Sequence, residues 1–482
     1  MSVAIYNTLS RQKEPFEPQV PNQVKMYCCG VTVYDYCHLG HARSYIVWDT
    51  IRRYLAWRGY DVRYVQNFTD IDDKILNRAR KEKSSMEAIA KTYTAAYFED
   101  MARLNILEAD EYTYATHTID GIKRLIYELT QKGFAYPAEG DVYYAVRKFK
   151  GYGKLSGRKL DDMEAGRSGR VAGKDTSIKQ DPFDFALWKS AKPDEPAWDS
   201  PWGPGRPGWH IECSAMVRDR LGDTIDIHVG GADLQFPHHE NEIAQSEAAT
   251  GKPLATYWMH NGMVNVDGTK MSKSLGNFTT IRSLLDAPQG PDPMAVRMFV
   301  LQSQYRMPLD FTEEAIQSAK KGWANLNEGL NFGAAQGKQL GWAEPIETLD
   351  EEAVSKFRAS MDDDFNTPGA IAVLFGLAKE LQRQRNLIIH EGTPDADPVN
   401  LQQQWQTLVA LAAVLGLEAQ TAAPAPALDD ELNSKDIETL IAERRAAKQA
   451  KNYAESDRIR DELSAKGITL IDKPGGVTVW HR

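Results

Sequence analysis

Apolar residues follow two different periods at the start of the chain. The segment VKMYCCGVTVY, residues 24–34, is almost continuously apolar, which predicts a buried strand. The following segment, HARSYIVWDTIRRYLAWRGY, has Ile46, Ile51 and Leu55 at helical spacing, and DVRYVQNFT after it predicts a second strand. A strand, a helix and a strand in this order predict a parallel sheet. Such sheets bind ligands beyond the carboxyl ends of their strands.

This pattern stops at about residue 116 and resumes after residue 207. The interval contains one helical segment (IDGIKRLIYELTQKG), one strand segment (DVYYAV), a basic stretch and a run rich in Pro and Trp, and we interpret it as an insertion. Alternating apolar residues in DTIDIHVGG predict that the sheet resumes there. Pro237 is then expected to open a helix as its first residue, and YWMHNGMVNV to form one strand segment.

The rest of the chain is predicted to be mainly helical. Apolar residues recur every three or four positions from Ile316 to Leu330, and Thr367-Pro368 marks another helix start. A helical bundle over residues 313–419 is the simplest interpretation. The Ala/Pro-rich residues 420–433 are predicted to be a linker, and residues 434–482 a small module of two short helices and a hairpin.

Composition and charge exclude several classes of protein. A chain of 482 residues that is 42% hydrophobic is long and apolar enough for several folded domains. The N-terminal residues lack the apolar core of a signal peptide, and no run of about 18 apolar residues follows, so we expect a cytoplasmic protein without membrane segments. The formal net charge of -10 argues against a protein that coats nucleic acid nonspecifically.

The cysteines are better suited to metal binding or to the reduced state than to a disulfide framework. There are 4 of them, and three lie close together in sequence at Cys28, Cys29 and Cys37. The segment PHHENE opens a predicted helix and puts His238 and Glu242 one turn apart. With Cys29 and Cys213 they form a set able to hold tetrahedral zinc, although spacing alone favours ordinary core cysteines.

Two further motifs suggest a nucleotide site. His38-Leu39-Gly40-His41 lies where the first strand leads into the first helix, at a position suited to phosphate. Alone, two histidines at a helix start are more often structural. Lys270-Met271-Ser272-Lys273-Ser274 places two ammonium groups on a loop that can hold phosphates, although alone it reads equally well as a solvated basic loop.

Together, in this order and context, the two motifs resemble the signature of the class I aminoacyl-tRNA synthetase family. The resemblance implies a Rossmann-type catalytic domain and a reaction in which an amino-acid carboxylate attacks the α-phosphorus of ATP bound with Mg. It implies catalytic roles for His38, His41, Lys270 and Lys273, and ATP contacts for Gly40, His41 and Lys273. The 3′-terminal ribose of tRNA then accepts the aminoacyl group.

Four segments are similar to the cysteinyl-tRNA synthetase family within this class: YCCGVTVYDYCHLGH, NFTDIDDKI, GRPGWHIECSAM and FPHHENEIAQSEA. The resemblance implies that Cys29, Cys213, His238 and Glu242 bind one zinc ion per chain, which selects the thiolate of cysteine over the hydroxyl of serine. It also implies that Thr69, Trp209 and Asp233 line the amino-acid pocket. The chain departs from the family pattern at Cys28, where an apolar residue is usual, and at Gln304, where histidine is common.

The resemblance extends to the C-terminal part and implies cysteine tRNA as a partner. MDDDFNTPGA, residues 361–370, is similar to the bundle signature of the family, and the last residues are similar to its anticodon-binding end. There Tyr453 is expected to stack on a base, and Asp457 and Asp472 to accept hydrogen bonds from bases. An ordinary solvent-facing helix explains these three residues equally well. A monomer is expected.

The expected architecture is therefore an α/β, Rossmann-type parallel-sheet catalytic domain with an insertion, followed by a helical bundle and a small C-terminal anticodon-binding module. Its predicted parts are the catalytic domain (1–115 and 208–265), a connective insertion (116–207), the KMSKS loop and stem-contact region (266–312), the bundle (313–419), the linker (420–433) and the module (434–482).

Two alternative functions are compatible with the motifs. A ligase that joins cysteine to an amino-sugar would use the same nucleotide and zinc sites but would not need residues 434–482. A catalytically silent RNA-binding or regulatory paralogue would not need intact His38, His41, Lys270 and Lys273.

Overall fold

The computed structural model describes most of the chain. The described residues are 2–160, 178–193, 195–271, 276–420, 434–450, 452–465, 468–473 and 477–481. The chain divides into two compact units, Met1–Ala419 and Gln420–Arg482. The predicted linker, residues 420–433, lies almost entirely outside the described residues. Residues 161–177 of the basic stretch also lie outside them.

Strands and helices alternate in the first half of the chain, and helices dominate the second. The strands are β1 (Ala4–Asn7), β2 (Gln12–Pro15), β3 (Gln23–Cys28), β4 (Asp61–Phe68), β5 (Glu111–Tyr114), β6 (Ala135–Ala138), β7 (Asp141–Tyr144), β8 (Phe185–Ser190), β9 (Gly205–Pro207), β10 (Ile225–Gly231), β11 (Ala255–Asn261), β12 (Val264–Val266), β13 (Thr269–Lys270), β14 (Leu309–Phe311), β15 (Thr469–Lys473) and β16 (Val477–His481). The helices are α1 (Leu39–Trp57), α2 (Asp73–Glu82), α3 (Met86–Arg103), α4 (Ile119–Gln131), α5 (Trp209–Leu221), α6 (Glu240–Thr250), α7 (Ile281–Leu285), α8 (Pro293–Leu301), α9 (Glu313–Leu330), α10 (Phe332–Gln336), α11 (Glu351–Asp362), α12 (Thr367–Glu391), α13 (Pro398–Val414), α14 (Ser434–Gln449) and α15 (Tyr453–Ala465).

A five-stranded sheet in the order β11-β10-β3-β4-β5 organises the first unit. All four of its strand pairings are parallel, which confirms the predicted α/β class. α1 connects β3 to β4, and its residues Ile46, Ile51 and Leu55 are buried as predicted. The carboxyl ends of β3, β4 and β10 therefore meet at one edge of the sheet, where ligands of parallel sheets bind.

The predicted insertion contains a second, antiparallel sheet in the order β6-β7-β8-β9. α4 packs on it through a separate core that includes Ile122, Leu125 and Val142. The carboxylate of Glu240, at the start of α6, accepts hydrogen bonds from the backbone N–H groups of Gly153, at 2.9 Å, and Ser156, at 2.8 Å. The insertion is thus joined to the helix that follows β10.

Two predicted elements differ from the structure. The segment YWMHNGMVNV is not one strand but two, since β11 belongs to the five-stranded sheet and β12 to a separate sheet with β13 and β14. Gly262 lies at the break, where a β-carbon would lie 2.3 Å from the carbonyl oxygen of Met307. Pro237 does not open an α-helix, because Gln235–His239 forms a π-helical segment and α6 begins at Glu240.

The helices after β14 form the predicted bundle. α9 buries Ile316, Trp323 and Leu330, and α12 begins at Thr367 with Asn366 as its cap. The second unit contains α14, α15 and the antiparallel hairpin of β15 and β16, around a small core that includes Ile437 and Ile459. The prediction of two helices and a hairpin is confirmed.

Candidate active site

The motif His38-Leu39-Gly40-His41 forms the N-terminus of α1. His38 is the cap residue, and its Nδ1 accepts a hydrogen bond from the Gly40 N–H at 3.0 Å, while Nδ1 of His41 accepts one from the His38 N–H at 3.2 Å. The two rings are stacked with their centroids 3.8 Å apart. These contacts fix both imidazoles at the positive end of the helix dipole, where anions are stabilised.

The Lys270 loop adjoins this helix terminus. β13, which contains Lys270, pairs with β12, and the methyl carbon of Met271 lies 3.6 Å from where a β-carbon on Gly40 would stand. The chain after the loop also contacts the motif, since the Leu39 N–H donates to the carbonyl of Thr279 at 3.2 Å. Lys270 is exposed. Lys273 lies outside the described residues.

Four side chains predicted as metal ligands converge at the carboxyl edge of the sheet. Cys29 follows β3, Cys213 lies in α5, His238 lies in the π-helical segment and Glu242 in the first turn of α6. Sγ of Cys29 lies 3.8 Å from Sγ of Cys213 and 3.3 Å from Oε1 of Glu242, and Nε2 of His238 lies 3.1 Å from the same oxygen. All four side chains are buried.

The charges in this cluster depend on one another. The hydrogen bond from Cys29 lowers the pKa of the Cys213 thiol to about 6, whereas burial raises that of Cys29 well above its usual value. Burial opposes ionisation of Glu242, but the neighbouring His228 and His238 hold its pKa well below its ordinary range. Glu242 in turn outweighs burial and raises the pKa of His238 to about 10. The pocket thus favours a thiolate and a carboxylate beside a cationic centre.

The sequence prediction missed several histidines around the cluster. Nε2 of His228 lies 2.9 Å from Oε2 of Glu242, Nδ1 of His210 lies 3.0 Å from Nδ1 of His238, and Nδ1 of His239 lies 2.8 Å from Nε2 of His260. The sequence did contain a signal for His228, because this polar residue lies between Ile227 and Val229 in a predicted strand, and the structure buries it in β10. The other three come from different elements and are brought together only by the fold.

The donor set fits a zinc ion. Two cysteine sulfurs, one imidazole nitrogen and one carboxylate oxygen all lie within 4.8 Å of one another, and each of these donor types binds tetrahedral zinc. The partners of His238 and Glu242 among the other histidines orient these ligands, as surrounding groups do at known metal sites. The donor atoms of a second group, Cys29, His228, His239 and Glu242, also lie within 4.8 Å of one another. It has one sulfur fewer, and Nε2 of His239 is 4.0 Å from Glu242.

Of the three residues predicted to line the amino-acid pocket, Trp209 contacts this cluster directly. The ring of Trp209 stacks on His238 with the centroids 4.3 Å apart. Thr69 is buried after β4 and donates its hydroxyl hydrogen to Glu212 at 3.0 Å. Asp233 is exposed after β10. Trp209 therefore directly adjoins a predicted metal ligand, whereas Asp233 is open to solvent at the same edge of the sheet.

The residues that depart from the family pattern have other partners. Cys28 is buried in β3 and its Sγ lies 3.6 Å from the carbonyl oxygen of Cys29. Burial raises the pKa of the Cys37 thiol. The side-chain amide of Gln304 donates to the carbonyl oxygen of Asp364 at 3.0 Å, which links it to the bundle.

In the second unit, the predicted tRNA contacts lie on or beside α15. Tyr453 is 64% exposed at the start of the helix. The carboxylate of Asp457 lies 3.1 Å from the guanidinium of Arg460, and its side chain is exposed. Asp472 pairs with Thr478 in the hairpin, and its side chain is not among those described.

A parallel sheet with these two motifs at its ligand-binding edge defines a class I aminoacyl-tRNA synthetase catalytic domain. The family model described as the tRNA synthetases class I (C) catalytic domain matches residues 15–321, and the DALR domain model matches residues 356–420. Among solved structures, methionyl-tRNA synthetase of Mycobacterium tuberculosis in complex with methionyl-adenylate is 17% identical with a TM-score of 0.56, covering 82% of this chain and 89% of that one. A ternary complex of LeuRS from Agrobacterium radiobacter with tRNA and LeuAMS has a TM-score of 0.59 at 12% identity, covering 85% and 88%.

Curated relatives identify the particular family. The chain is 68% identical over 482 residues to the cysteine–tRNA ligase of Synechococcus elongatus, and 64% identical over 488 residues to that of Gloeothece citriformis, with 100% of each chain covered in both comparisons. The chain therefore belongs to the cysteine–tRNA ligase family. The amino-sugar ligase alternative gains no support from these relatives. Within the described part of the chain, no helix has the length and apolar character to cross a membrane.

Proposed function

We propose that the protein is a cysteine–tRNA ligase that activates cysteine with ATP and Mg and transfers it to the 3′-terminal adenosine of cysteine tRNA. The observation that carries the proposal is the convergence of Cys29, Cys213, His238 and Glu242 at the carboxyl edge of the sheet, where α1 also begins with the His38–His41 motif. Membership of the cysteine–tRNA ligase family supports the same activity.

Cys29, Cys213, His238 and Glu242 are proposed to hold one zinc ion. Zinc bound there supplies a soft Lewis-acid centre that favours a thiolate over the hydroxyl of serine. Trp209, stacked on His238, provides an apolar wall for the substrate side chain. Thr69 and Asp233 complete the pocket, with Asp233 as the partner of the substrate ammonium group.

The nucleotide is proposed to lie between the start of α1 and the Lys270 loop. His38 and His41 stabilise the charge that develops on the α-phosphate, and Gly40 allows the nucleotide to approach the backbone. Lys270 and Lys273 bind the departing pyrophosphate as point charges. The substrate carboxylate forms the bond to the α-phosphorus as the bond to the pyrophosphate oxygen breaks, so no covalent enzyme intermediate is required.

The second unit is proposed to bind the anticodon. Tyr453 offers an exposed ring for stacking, and Asp457 and Asp472 are proposed acceptors for base hydrogen bonds. A cytoplasmic monomer is proposed.

The proposal is tested by cysteine-dependent exchange of pyrophosphate into ATP, measured beside aminoacylation of cysteine tRNA and zinc analysis of the purified protein. We expect about one zinc per chain, exchange with cysteine but not with serine, and charging of cysteine tRNA. An active preparation without zinc, or one that accepts serine as readily as cysteine, would contradict the zinc assignment. Absence of both exchange and charging would revive the silent-paralogue alternative.

A further inference from the structure

Arg43 is a buried cation two residues after His41, on the helix that carries the nucleotide motif. It is 1% exposed. Nη1 donates to the carbonyl oxygen of Met263 at 2.7 Å, and Nη2 donates to the carbonyl oxygens of Tyr305, at 3.1 Å, and Met307. Within the described residues, all the hydrogen bonds of this guanidinium therefore go to main-chain carbonyls.

These carbonyls belong to the two segments that support Lys270. Met263 directly precedes β12, and Tyr305 and Met307 lie shortly before β14, which pairs with β12 in parallel. The Met263 carbonyl also accepts from Leu309 N–H at 2.9 Å, and the Tyr305 carbonyl accepts from Gly262 N–H at 2.9 Å. The guanidinium thus adds a third partner to a junction that already joins the two strands.

The junction is connected to Lys270 through main-chain contacts. β13 pairs with β12, with Lys270 opposite Asn265, and the Met271 N–H donates to the carbonyl of Val264 at 3.3 Å. Only Val264 lies between Met263, whose carbonyl accepts from Arg43, and Asn265, which pairs with Lys270. A shift of Arg43 is therefore transmitted to the base of the Lys270 loop.

Packing alone does not explain an arginine at this position. A buried cation is costly to desolvate, and an apolar side chain of similar volume often serves stability as well or better. Burial lowers the pKa of Arg43 to about 10, so the group remains charged near neutral pH. Its planar fork reaches carbonyls of two chain segments at once, which a lysine cannot reproduce.

We propose that Arg43 is a positioning residue that fixes the Lys270 hairpin relative to His38 and His41, and so sets the geometry for adenylate formation. The inference rests on the proposed function. It assigns to Arg43 no contact with substrate, because its guanidinium is buried and both Nη1 and Nη2 donate to carbonyls of the protein main chain.

Arg297 provides a matched control. It is 0% exposed and also donates to main-chain carbonyls, those of Leu415 at 2.7 Å and Leu104 at 3.1 Å, and it forms an ion pair with Asp49. These contacts join α8 to α1 and to the end of the bundle, and they do not include the β12–β14 sheet.

The test measures pyrophosphate exchange and melting temperature for the full-length protein and for three single variants, Arg43→Lys, Arg297→Lys and Lys270→Ala. Two double variants, in which Lys270→Ala is combined with Arg43→Lys or with Arg297→Lys, are measured in the same way. Arg43→Lys is expected to lower kcat for exchange by about 10²-fold, the scale of a displacement near 1 Å, with the KM for cysteine almost unchanged. Lys270→Ala is expected to cost much less in the Arg43→Lys background than alone, because the two changes share one contact network. Arg297→Lys is expected to lower the melting temperature but to leave kcat within about twofold at 15 °C, and to combine additively with Lys270→Ala.

Additive effects of Arg43→Lys and Lys270→Ala, or equal losses of kcat in Arg43→Lys and Arg297→Lys, would overturn the proposal. Should Arg43→Lys not accumulate as folded protein, Arg43→Met, which retains an apolar stem, is measured in the same way. A wild-type protein without cysteine-dependent exchange would instead refute the proposed function, so the two failures are distinguishable.

Discussion

At the scale of single residues, the same side-chain type has different roles according to its neighbours. Cys28 and Cys29 are adjacent in sequence, yet burial raises the pKa of Cys28 to about 12, while Cys29 lies against Cys213 and Glu242. Neighbouring residues of a strand point to opposite faces, which separates the two cysteines. Only Cys29 therefore faces the donor cluster.

Cys213→Ser is expected to lower zinc content and cysteine activation together, because a hydroxyl is a poor zinc ligand. We expect the exchange rate to fall at least about 10-fold. Metal analysis and pyrophosphate exchange measure the two effects. The control is Cys28→Ser, the same change at the neighbouring buried cysteine, which should keep its metal. An unchanged zinc stoichiometry in Cys213→Ser would remove this residue from the proposed site.

Lys270→Ala is expected to slow adenylate formation by about 10²-fold, because the ammonium group stabilises charge that grows in the transition state. Cysteine binding should change little. Single-turnover measurements give the rate of adenylate formation, and equilibrium binding measurements give the affinity for cysteine. Lys252→Ala, which removes an exposed lysine paired with Asp223, serves as control. An equal loss of binding and rate in Lys270→Ala would contradict a transition-state role.

At the scale of elements, α6 connects the insertion to the proposed metal site. Its first residue, Glu240, is 0% exposed and accepts backbone hydrogen bonds from the 153–156 segment, while Glu242 two residues later belongs to the donor cluster. Both acidic residues lie in the first turn of α6, where the helix dipole favours negative charge. The two carboxylates nevertheless serve opposite sides of the helix.

Glu240→Gln is expected to reduce the free energy of unfolding by about 1–3 kcal/mol, because its amide replaces one acceptor oxygen with a donor that faces backbone N–H groups. Urea denaturation measures this change. Glu352→Gln, at an exposed position in α11, should have almost no effect. A Glu240→Gln protein as stable as the wild type would show that these hydrogen bonds contribute little.

At the scale of the whole molecule, activation and tRNA recognition are expected to be separable. The site residues of the first reaction all belong to Met1–Ala419, and the proposed anticodon contacts to Gln420–Arg482. Each unit has a core of its own. A change on the surface of the second unit should therefore affect charging of tRNA without affecting exchange.

Tyr453→Ala is expected to raise the KM for cysteine tRNA by roughly 5- to 100-fold, the range for loss of one stacked base, and to leave pyrophosphate exchange unchanged. Steady-state aminoacylation measures the effect. Tyr127→Ala removes a tyrosine of similar exposure, 54%, from α4 and is the control. Equal KM values for the two variants would argue against stacking at Tyr453.

The elements whose signal is local could be predicted from the amino-acid sequence. The apolar period of α1 and the helical spacing in α9 follow their buried faces, and β10 lies where apolar residues alternate, although its residues 225–230 are all buried. The signature motifs and the four donor residues were predicted through the resemblance of their segments to a known family, since spacing alone favoured ordinary core cysteines.

How these residues meet depends on the folded chain. The break at Gly262 follows from its close approach to the main chain of Met307, which no local pattern encodes. The helix also begins at Glu240 rather than at Pro237. The histidines around Glu242 and the carbonyls around Arg43 likewise come from separate elements. Their proximity is a property of the folded chain, because side-chain hydrogen bonds depend on distances that sequence spacing does not fix.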